Sequence, residues 1–304
     1  MKSNKKLLEI KNLTIQYEDG VHAVEKIDMD IARKEIIGIV GESGCGKTTL
    51  IRSLINLLPS TGSIVSGSMH FNGKNLKNYT SEEWRRLRGN EIAMIFQNPD
   101  SYLNPILKIG KQFVESIRNH RVLSKKDAKY KAIQTLEKMH LKDSERIMNA
   151  YPFQLSGGMK QRVAIAMAIA MEPRLILADE PTSALDVKTQ AQIIHELIAL
   201  RETFNTSIIM VTHNICCAAH IADRIMVMYK GKVVEFGKTS TVLTQPENEY
   251  TRNLLSSIPN LKGPTKCSFC DGIHSTCLVD DILAGILYNP HGSNRLPQQK
   301  MNLL

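Results

Sequence analysis

Aromatic residues are scarce in this chain: Phe, Tyr and Trp make up 5% of its 304 residues, and there is a single tryptophan, Trp84. That supply gives no stacking platform for single-stranded nucleic acid, which needs aromatic faces for successive bases. Long apolar runs are missing too. A bilayer-spanning helix takes about 18 or more such residues, and the longest candidate, Val163 to Met171, runs directly into Glu172, Pro173 and Arg174. The basic segment Met1 to Lys6 leads into charged, alternating sequence rather than the apolar core of a secretory signal. The expectation is a protein that stays in the cytoplasm and meets a membrane only through partners.

What is present is ordinary for a globular protein, with 42% hydrophobic and 23% charged residues. The net charge of +9 raises the question of nucleic acid or anionic lipid. Its basic residues are scattered, however, and the tightest groups (Lys2 with Lys5 and Lys6, Arg85 with Arg86 and Arg88, Lys125 with Lys126 and Lys129) read as solvated helix faces and a frayed terminus. Of six cysteines, Cys45, Cys216 and Cys217 fall in the main domain, while Cys267, Cys270 and Cys277 cluster near the C-terminus. Cytosolic chains rarely spend cysteine on disulfides, so the cluster poses a metal question instead.

Apolar residues alternate at Leu8, Ile10, Leu13 and Ile15, and again at Val24, Ile27, Met29 and Ile31, with a turn at Glu18-Asp19-Gly20; this is strand periodicity. Ile36 to Val40 is a short continuous apolar run of the kind buried in a parallel sheet. Leu50, Ile51, Leu54, Ile55 and Leu58 mark one face of a helix that Pro59 should end. Ser81 to Ala170 reads as mostly helical, broken by a strand at Ile92 to Phe96. Leu175 to Ala178 and Ile208 to Val211 resemble buried strands with a helix from Thr189 to Arg201 between them, and Lys230-Gly231 joins a last strand pair, Arg224–Tyr229 and Lys232–Phe236. The alternation argues for a parallel α/β core carrying a helical subdomain.

Gly41-Glu42-Ser43-Gly44-Cys45-Gly46-Lys47-Thr48 fits the phosphate-loop pattern GxxxxGK[ST]. Glycines let backbone N–H groups turn inward around phosphates, and the following helix, which takes in Thr49, presents its positive end. Lys47 reaches the β- and γ-phosphates and the Thr48 hydroxyl ligates Mg²⁺ in such a loop. Chance produces the pattern in roughly one chain in a hundred of this length, and here it sits between an expected strand and an expected helix, the context that confirms it. Leu175 to Glu180 is then an apolar strand ending in two carboxylates. An acid at that end of a parallel strand lies at the ligand crevice of an open α/β sheet. Asp179 suits the Mg²⁺ side, and Glu180 suits a general base for water.

Leu155-Ser156-Gly157-Gly158-Met159, continuing as Lys160-Gln161-Arg162, resembles the signature motif of the ABC ATPases, and it precedes Asp179 as in that family. From first principles, Ser156 with the Gly157 and Gly158 amides opens a helix and makes a second anion site. The resemblance implies a P-loop NTPase of RecA-like α/β fold, with an antiparallel β subdomain and an inserted helical subdomain. It also implies dimerisation, because in the family the signature of one subunit closes over ATP held by the phosphate loop of the other. By the same resemblance, Gln97 senses Mg²⁺ and the attacking water, and Asp186 of Ser183-Ala184-Leu185-Asp186 communicates across the dimer. His213 likewise contacts the γ-phosphate, and Tyr17 stacks on adenine. Asn214 stands where many relatives have Asp and takes no role from them.

The resemblance spans about Leu7 to Pro259 and is closest to the oligopeptide, dipeptide and nickel importer group. It rests on Gly67–Leu76, Ala93–Gly110, Tyr151–Gln154, Ala178–Gln192 and Pro246–Ile258. It implies an ATPase subunit on the cytoplasmic face of the cell membrane, peripheral to it, that powers uptake of a small peptide or a chelated metal such as nickel. Its partners would be two transmembrane permeases, a second, non-identical ATPase and an extracellular solute-binding protein, with no nucleic acid. The expected division is an ATPase domain over 1–240, with a helical subdomain at about 98–170, and a C-terminal extension over 241–304 holding the cysteines and a mobile tail. Many members of the group end in a cysteine-rich iron–sulfur segment. Cys270 and Cys277 fit its inner pair, while Cys267 lies closer than the pattern expects and no fourth cysteine follows. A cluster takes four thiolates; zinc would accept three with His274. The rival, a soluble ABC ATPase working on DNA or ribosomes, would carry coiled-coil or zinc insertions or two full cassettes, and this sequence has one phosphate loop and one signature.

Overall fold

The computed structural model describes residues 6–183 and 185–257. Its strands in chain order are β1 Lys6–Tyr17, β2 His22–Ala32, β3 Ile36–Val40, β4 Gly62–Phe71, β5 Lys74–Asn75, β6 Ile92–Ile95, β7 Leu175–Asp179, β8 Ser207–Thr212, β9 Arg224–Tyr229 and β10 Lys232–Lys238. The helices are α1 Lys47–Ser53, α2 Ser81–Leu87, α3 Ile109–His120, α4 Lys125–Lys138, α5 Ser144–Asn149, α6 Gly157–Ile169, α7 Val187–Phe204, α8 Ile215–Ile221, α9 Thr239–Thr244 and α10 Glu249–Ser256. Two sheets form. One is antiparallel, in the order β2-β1-β4-β5; the other runs β10-β9-β3-β8-β7-β6 and is parallel from β9 to β6. This is the α/β core with antiparallel and helical subdomains that the sequence led us to expect.

Alternation along the buried strands places the parallel sheet between two apolar layers. Ile37 and Ile39 of β3, Leu175 and Leu177 of β7, and Ile209 and Val211 of β8 pack with the antiparallel sheet and with Leu50, Ile51 and Leu54. Ile36 and Val40, Ile176 and Ala178, and Ile208 and Met210 face the other way, against helices that include α3, α4, α6 and α7. Both faces are covered, so these strands read as continuous apolar runs rather than as an alternation. The arrangement leaves the C-terminal ends of β3, β6, β7 and β8 together along one edge of the core, where an open α/β sheet binds ligands.

Two helices depart from the expected boundaries. The helix after the phosphate loop ends at Ser53, before the Leu58–Pro59 limit read from the sequence. Asn56 takes a left-handed φ of 52°, its N–H donates to the Ser53 carbonyl and the Leu57 N–H donates to the Arg52 carbonyl. That pair of bonds is a Schellman termination. Leu54 and Ile55 are buried all the same, so the apolar spacing was real while the helix around it had already ended. The helix expected over Thr189–Arg201 runs further at both ends, from Val187 to Phe204.

Candidate functional site

β3 delivers the chain to Gly41, and the loop 41–46 turns it into α1. Two of its glycines are required by space as well as by backbone. Gly41 has φ of +151° and a Cβ there would strike the Met228 carbonyl; Gly46 has φ of +102° and a Cβ would strike the Ala23 carbonyl. The Lys47 ammonium folds back into the loop, donating to the Gly41 and Glu42 carbonyls at 2.7 Å each, with the Cys45 Sγ at 3.6 Å. Lys47 is only 5% exposed. Among the described residues its hydrogen bonds go to carbonyls and a thiol rather than to a carboxylate, which makes the loop a receptor for anions. Ser43 and Gly44 are exposed at its rim.

The Thr48 hydroxyl donates to Asp179 Oδ1 at 2.8 Å. Burial lifts the Asp179 carboxyl above its ordinary pKa, and the Thr48 hydroxyl pulls it partly back. A buried carboxylate oxygen and a hydroxyl at this separation are hard oxygen donors of the kind Mg²⁺ accepts, its other positions being met by water and phosphate. The donor set therefore fits the ion. Next along β7, Glu180 adopts a left-handed φ of 45° while its N–H bonds the Val211 carbonyl at 2.9 Å. This off-strand turn aims its carboxylate outward, where Gln97 Nε2 donates to Oε2 at 3.2 Å and His213 Nδ1 lies 3.2 Å from Oε1. Gln97 comes from the end of β6 and His213 from the end of β8. Three strand ends thus converge on one carboxylate. Tyr17 reaches the same region from β1, its hydroxyl 3.0 Å from the Thr49 Oγ1.

The remaining expected residues meet elsewhere. Ser156 caps α6, its hydroxyl accepting from the Met159 N–H at 3.3 Å, and is exposed along with Gly157. Asp186 caps α7, accepting from the Thr189 N–H at 3.0 Å and the Thr189 hydroxyl at 2.7 Å. Those bonds hold its carboxyl below the usual range. Thr189 ties the two caps together, because a Cβ on Gly158 would lie 2.7 Å from its Cγ2. Ser156, Gly157, Gly158 and Asp186 form a second cluster on the surface, apart from the contacts around Lys47 and Glu180. Cys267, Cys270, Cys277 and His274 lie outside the described residues.

Three interacting residues escaped the sequence reading. Asn214 caps α8, accepting from the Cys216 and Cys217 N–H groups. Asp100, three residues past Gln97, pairs with Lys160 of α6 at 2.8 Å. The Tyr250 hydroxyl accepts from the Glu42 N–H at 3.1 Å. The first was readable as an Asn before a helix; the other two join segments 60 and 208 residues apart, which one sequence does not pair.

This sheet edge, with its anion loop, hydroxyl–carboxylate pair and strand-end glutamate, defines a nucleoside triphosphatase of the P-loop type. The family model described as ABC transporter matches residues 24–183, and the chain belongs to that family as an ATP-binding, ATP-hydrolysing cassette. It is 40% identical over 263 residues to the dipeptide transport ATP-binding protein DppD of Lactococcus lactis, covering 85% of this chain and 75% of that one. It is 41% identical over 261 residues to the oligopeptide transport ATP-binding protein AppD of Bacillus subtilis, covering 84% and 80%. Among solved structures, cbiO1 of the Clostridium perfringens transporter complex cbiONQ superposes with a TM-score of 0.71 at 28% identity, over 80% of this chain and 92% of that one. A dimeric, post-hydrolysis structure of the ATP-binding cassette MJ0796 with ADP and Pi gives 0.68 at 31% identity, over 76% and 98%.

Proposed function

We propose that this chain powers the import of small peptides, hydrolysing ATP at the edge where β3, β6, β7 and β8 end. The observation that carries the reading is the convergence of Gln97 and His213 on Glu180, beside the Thr48–Asp179 pair and the Lys47 loop. The names of the peptide-transport relatives support the cargo class. They give no support to a role on DNA or ribosomes, and chelated nickel remains an alternative cargo for the same machine.

In this reading the amides of Ser43 to Thr49 and the Lys47 ammonium receive the phosphates, and Tyr17 backs the adenine. Thr48 and Asp179, with Gln97, are the residues that would hold Mg²⁺, and the ion would supply charge neutralisation for the phosphates. Glu180 takes a proton from the attacking water as it approaches the γ-phosphorus in line with the departing ADP oxygen. Gln97 and His213 fix the orientation of that carboxylate, and His213 reaches the γ-phosphate. Catalysis then comes chiefly from positioned charge rather than from covalent chemistry. Ser156, Gly157 and Gly158 of one subunit complete the site of another, with Asp186 at the seam.

The chain works from the cytoplasmic face of the membrane as a peripheral subunit. Its partners are two permeases, a second ATPase and an external binding protein that selects the cargo. Among the described residues no helix is long and apolar enough to cross a membrane. The division into residues 1–240 and 241–304 belongs to the same proposal; the boundary falls within α9, and the end of α9 together with α10 is the part of the extension that docks on the core. A metal at Cys267, Cys270 and Cys277 enters no step of it.

The test is to isolate the chain with its membrane partners, identify them by mass spectrometry and measure ATP hydrolysis with and without peptide-loaded binding protein. Permeases in the complex and peptide-stimulated hydrolysis are expected. Recovery with ribosomes or DNA and no permease would sink the import reading and leave the ATPase standing.

A further inference from the structure

Two elements outside every ATP-site motif brace the phosphate loop. The turn between β9 and β10 donates its Gly231 N–H to the Cys45 carbonyl at 3.1 Å, while its carbonyl accepts from the Glu25 N–H at 2.8 Å. From the opposite end of the chain, α10 sends Tyr250 to the loop, where its hydroxyl accepts from the Glu42 N–H at 3.1 Å. The Tyr250 ring rests on Tyr229 of β9, centroids 4.4 Å apart. Its helix is itself fixed: the Glu235 carboxylate of β10 accepts from the Glu247 and Asn248 N–H groups, and Asn248 caps Tyr250. Thr251, next along, is fully buried.

Glu42 is thereby held from both sides. Its N–H is bound to Tyr250, and its carbonyl receives the Lys47 ammonium at 2.7 Å and the Cys45 N–H at 3.3 Å. Lys47 takes its position from that carbonyl and from Gly41. The loop carries positive φ at Gly41, Gly44 and Gly46, so it has much conformational freedom to lose when phosphates arrive. A peptide already fixed at Glu42 lowers that ordering cost, which is how preorganisation raises affinity.

We propose that Tyr250 is a positioning residue for the nucleotide site. Its hydroxyl sets Glu42, and through it the Lys47 ammonium, so that the segment following the ATPase sheet tunes ATP affinity. The inference rests on the reading of residues 41–48 as the ATP loop. Burial raises the phenol's pKa, so the hydroxyl stays neutral and serves as acceptor over the working pH range.

The experiment compares the full chain with Tyr250→Phe, which keeps the ring on Tyr229 and removes only the oxygen. ATP affinity is read by titration with a fluorescent ATP analogue, and KM and kcat for ATP in the assembled transporter. The expected result is ATP binding weaker by about 3- to 10-fold, the span of one ordinary hydrogen bond. KM should rise by the same factor with kcat changed less than about twofold, the pattern of lost ground-state binding. Glu235→Gln, which loosens α10 from β10, should act in the same direction, and the double variant should be no weaker than Tyr250→Phe alone because both act through one contact. Unchanged affinity in Tyr250→Phe, a fall in kcat with KM unchanged, or fully additive effects in the double variant would each overturn the proposal. A wild-type chain that bound no ATP analogue would overturn instead the ATP-loop reading beneath it.

Discussion

At the scale of single residues, the proposed chemistry turns on a carboxylate that the backbone takes out of its strand. Glu180 leaves β7 in a left-handed conformation, and only then do Gln97 and His213 reach its two oxygens. Strained backbone of this kind is tolerated where the surrounding structure fixes it, commonly at functional sites. Glu180→Gln keeps the shape and one of the two acceptor oxygens but removes the proposed base. Its ATP hydrolysis should fall by about 10²- to 10⁴-fold while ATP binding persists, so phosphate release is lost and an ATP-bound dimer accumulates on size exclusion. Phosphate release at the wild-type rate would remove Glu180 from the role of base. Lys47, Thr48, Asp179 and Glu180 were all legible in the sequence, because each occupies a fixed offset from a glycine loop or a strand end. Tyr250 was not, since a tyrosine near the end of a helix carries no sign of which loop it touches.

At the scale of elements, α6 and α7 act as a pair. Gly158 lies against Thr189, and further along the Arg162 guanidinium meets Glu196 at 3.2 Å with Glu196 only 6% exposed. Burial pushes the Glu196 carboxyl up to about 7, with Arg162 drawing it partly back. In the unfolded chain that group titrates near the ordinary 4.5, so the folded state holds the extra proton between those values. The favourable contribution is therefore complete below about pH 4.5 and is lost as pH rises through about 7. Glu196→Gln removes the titration. Relative to that variant, the wild type should lose about 1–3 kcal/mol of stability between pH 5 and pH 8; a stability gap independent of pH would contradict the assignment. Both helices were expected, α6 inside the mostly helical stretch from Ser81 to Ala170 and α7 over Thr189–Arg201, yet neither the buried pair nor the early end of α1 was readable. Arg162 and Glu196 are 34 residues apart and look like surface charges in one dimension, and the Schellman turn at Asn56 competes with an apolar pattern that continues past it.

The Lys160–Asp100 pair links α6 to the segment just after Gln97 and belongs to the same scale. Asp100 is more than half exposed, so the pair adds less than about 1 kcal/mol to stability. In the proposed mechanism it ties the Gln97 segment to the signature helix. Lys160→Met should leave the melting temperature within a few degrees of wild type. It should lower permease-stimulated hydrolysis by roughly 2- to 30-fold, the range of a coupling contact between two sites. Full stimulation in that variant would mean that the two segments need no tie.

At the scale of the whole molecule, the proposed reaction draws on two clusters that share none of the contacts described above. Lys47, Thr48, Asp179 and Glu180 gather at the strand ends, while Ser156, Gly157, Gly158 and Asp186 gather around Thr189. If each reaction needs one cluster from each of two subunits, defects in different clusters should complement. Gly157 is the right place for the second defect. A Cβ there meets only Leu185 Cδ2, at 3.8 Å, so Gly157→Asp can fold, whereas Gly158 has no such room. The carboxylate would then face the incoming phosphates. Lys47→Ala and Gly157→Asp subunits should each be inactive alone. Mixed in equal amounts at concentrations where the chain pairs with itself, half the dimers would carry both kinds of subunit, and each of these would retain one intact site out of two. Hydrolysis should recover to about one quarter of wild type in a two-fold symmetric dimer. A site contained within one chain predicts no recovery at all, because every subunit in the mixture carries a defect. The quarter-activity result would therefore place the signature of one subunit on the ATP of the other without any structure of the dimer, and its absence would return both clusters to a single chain.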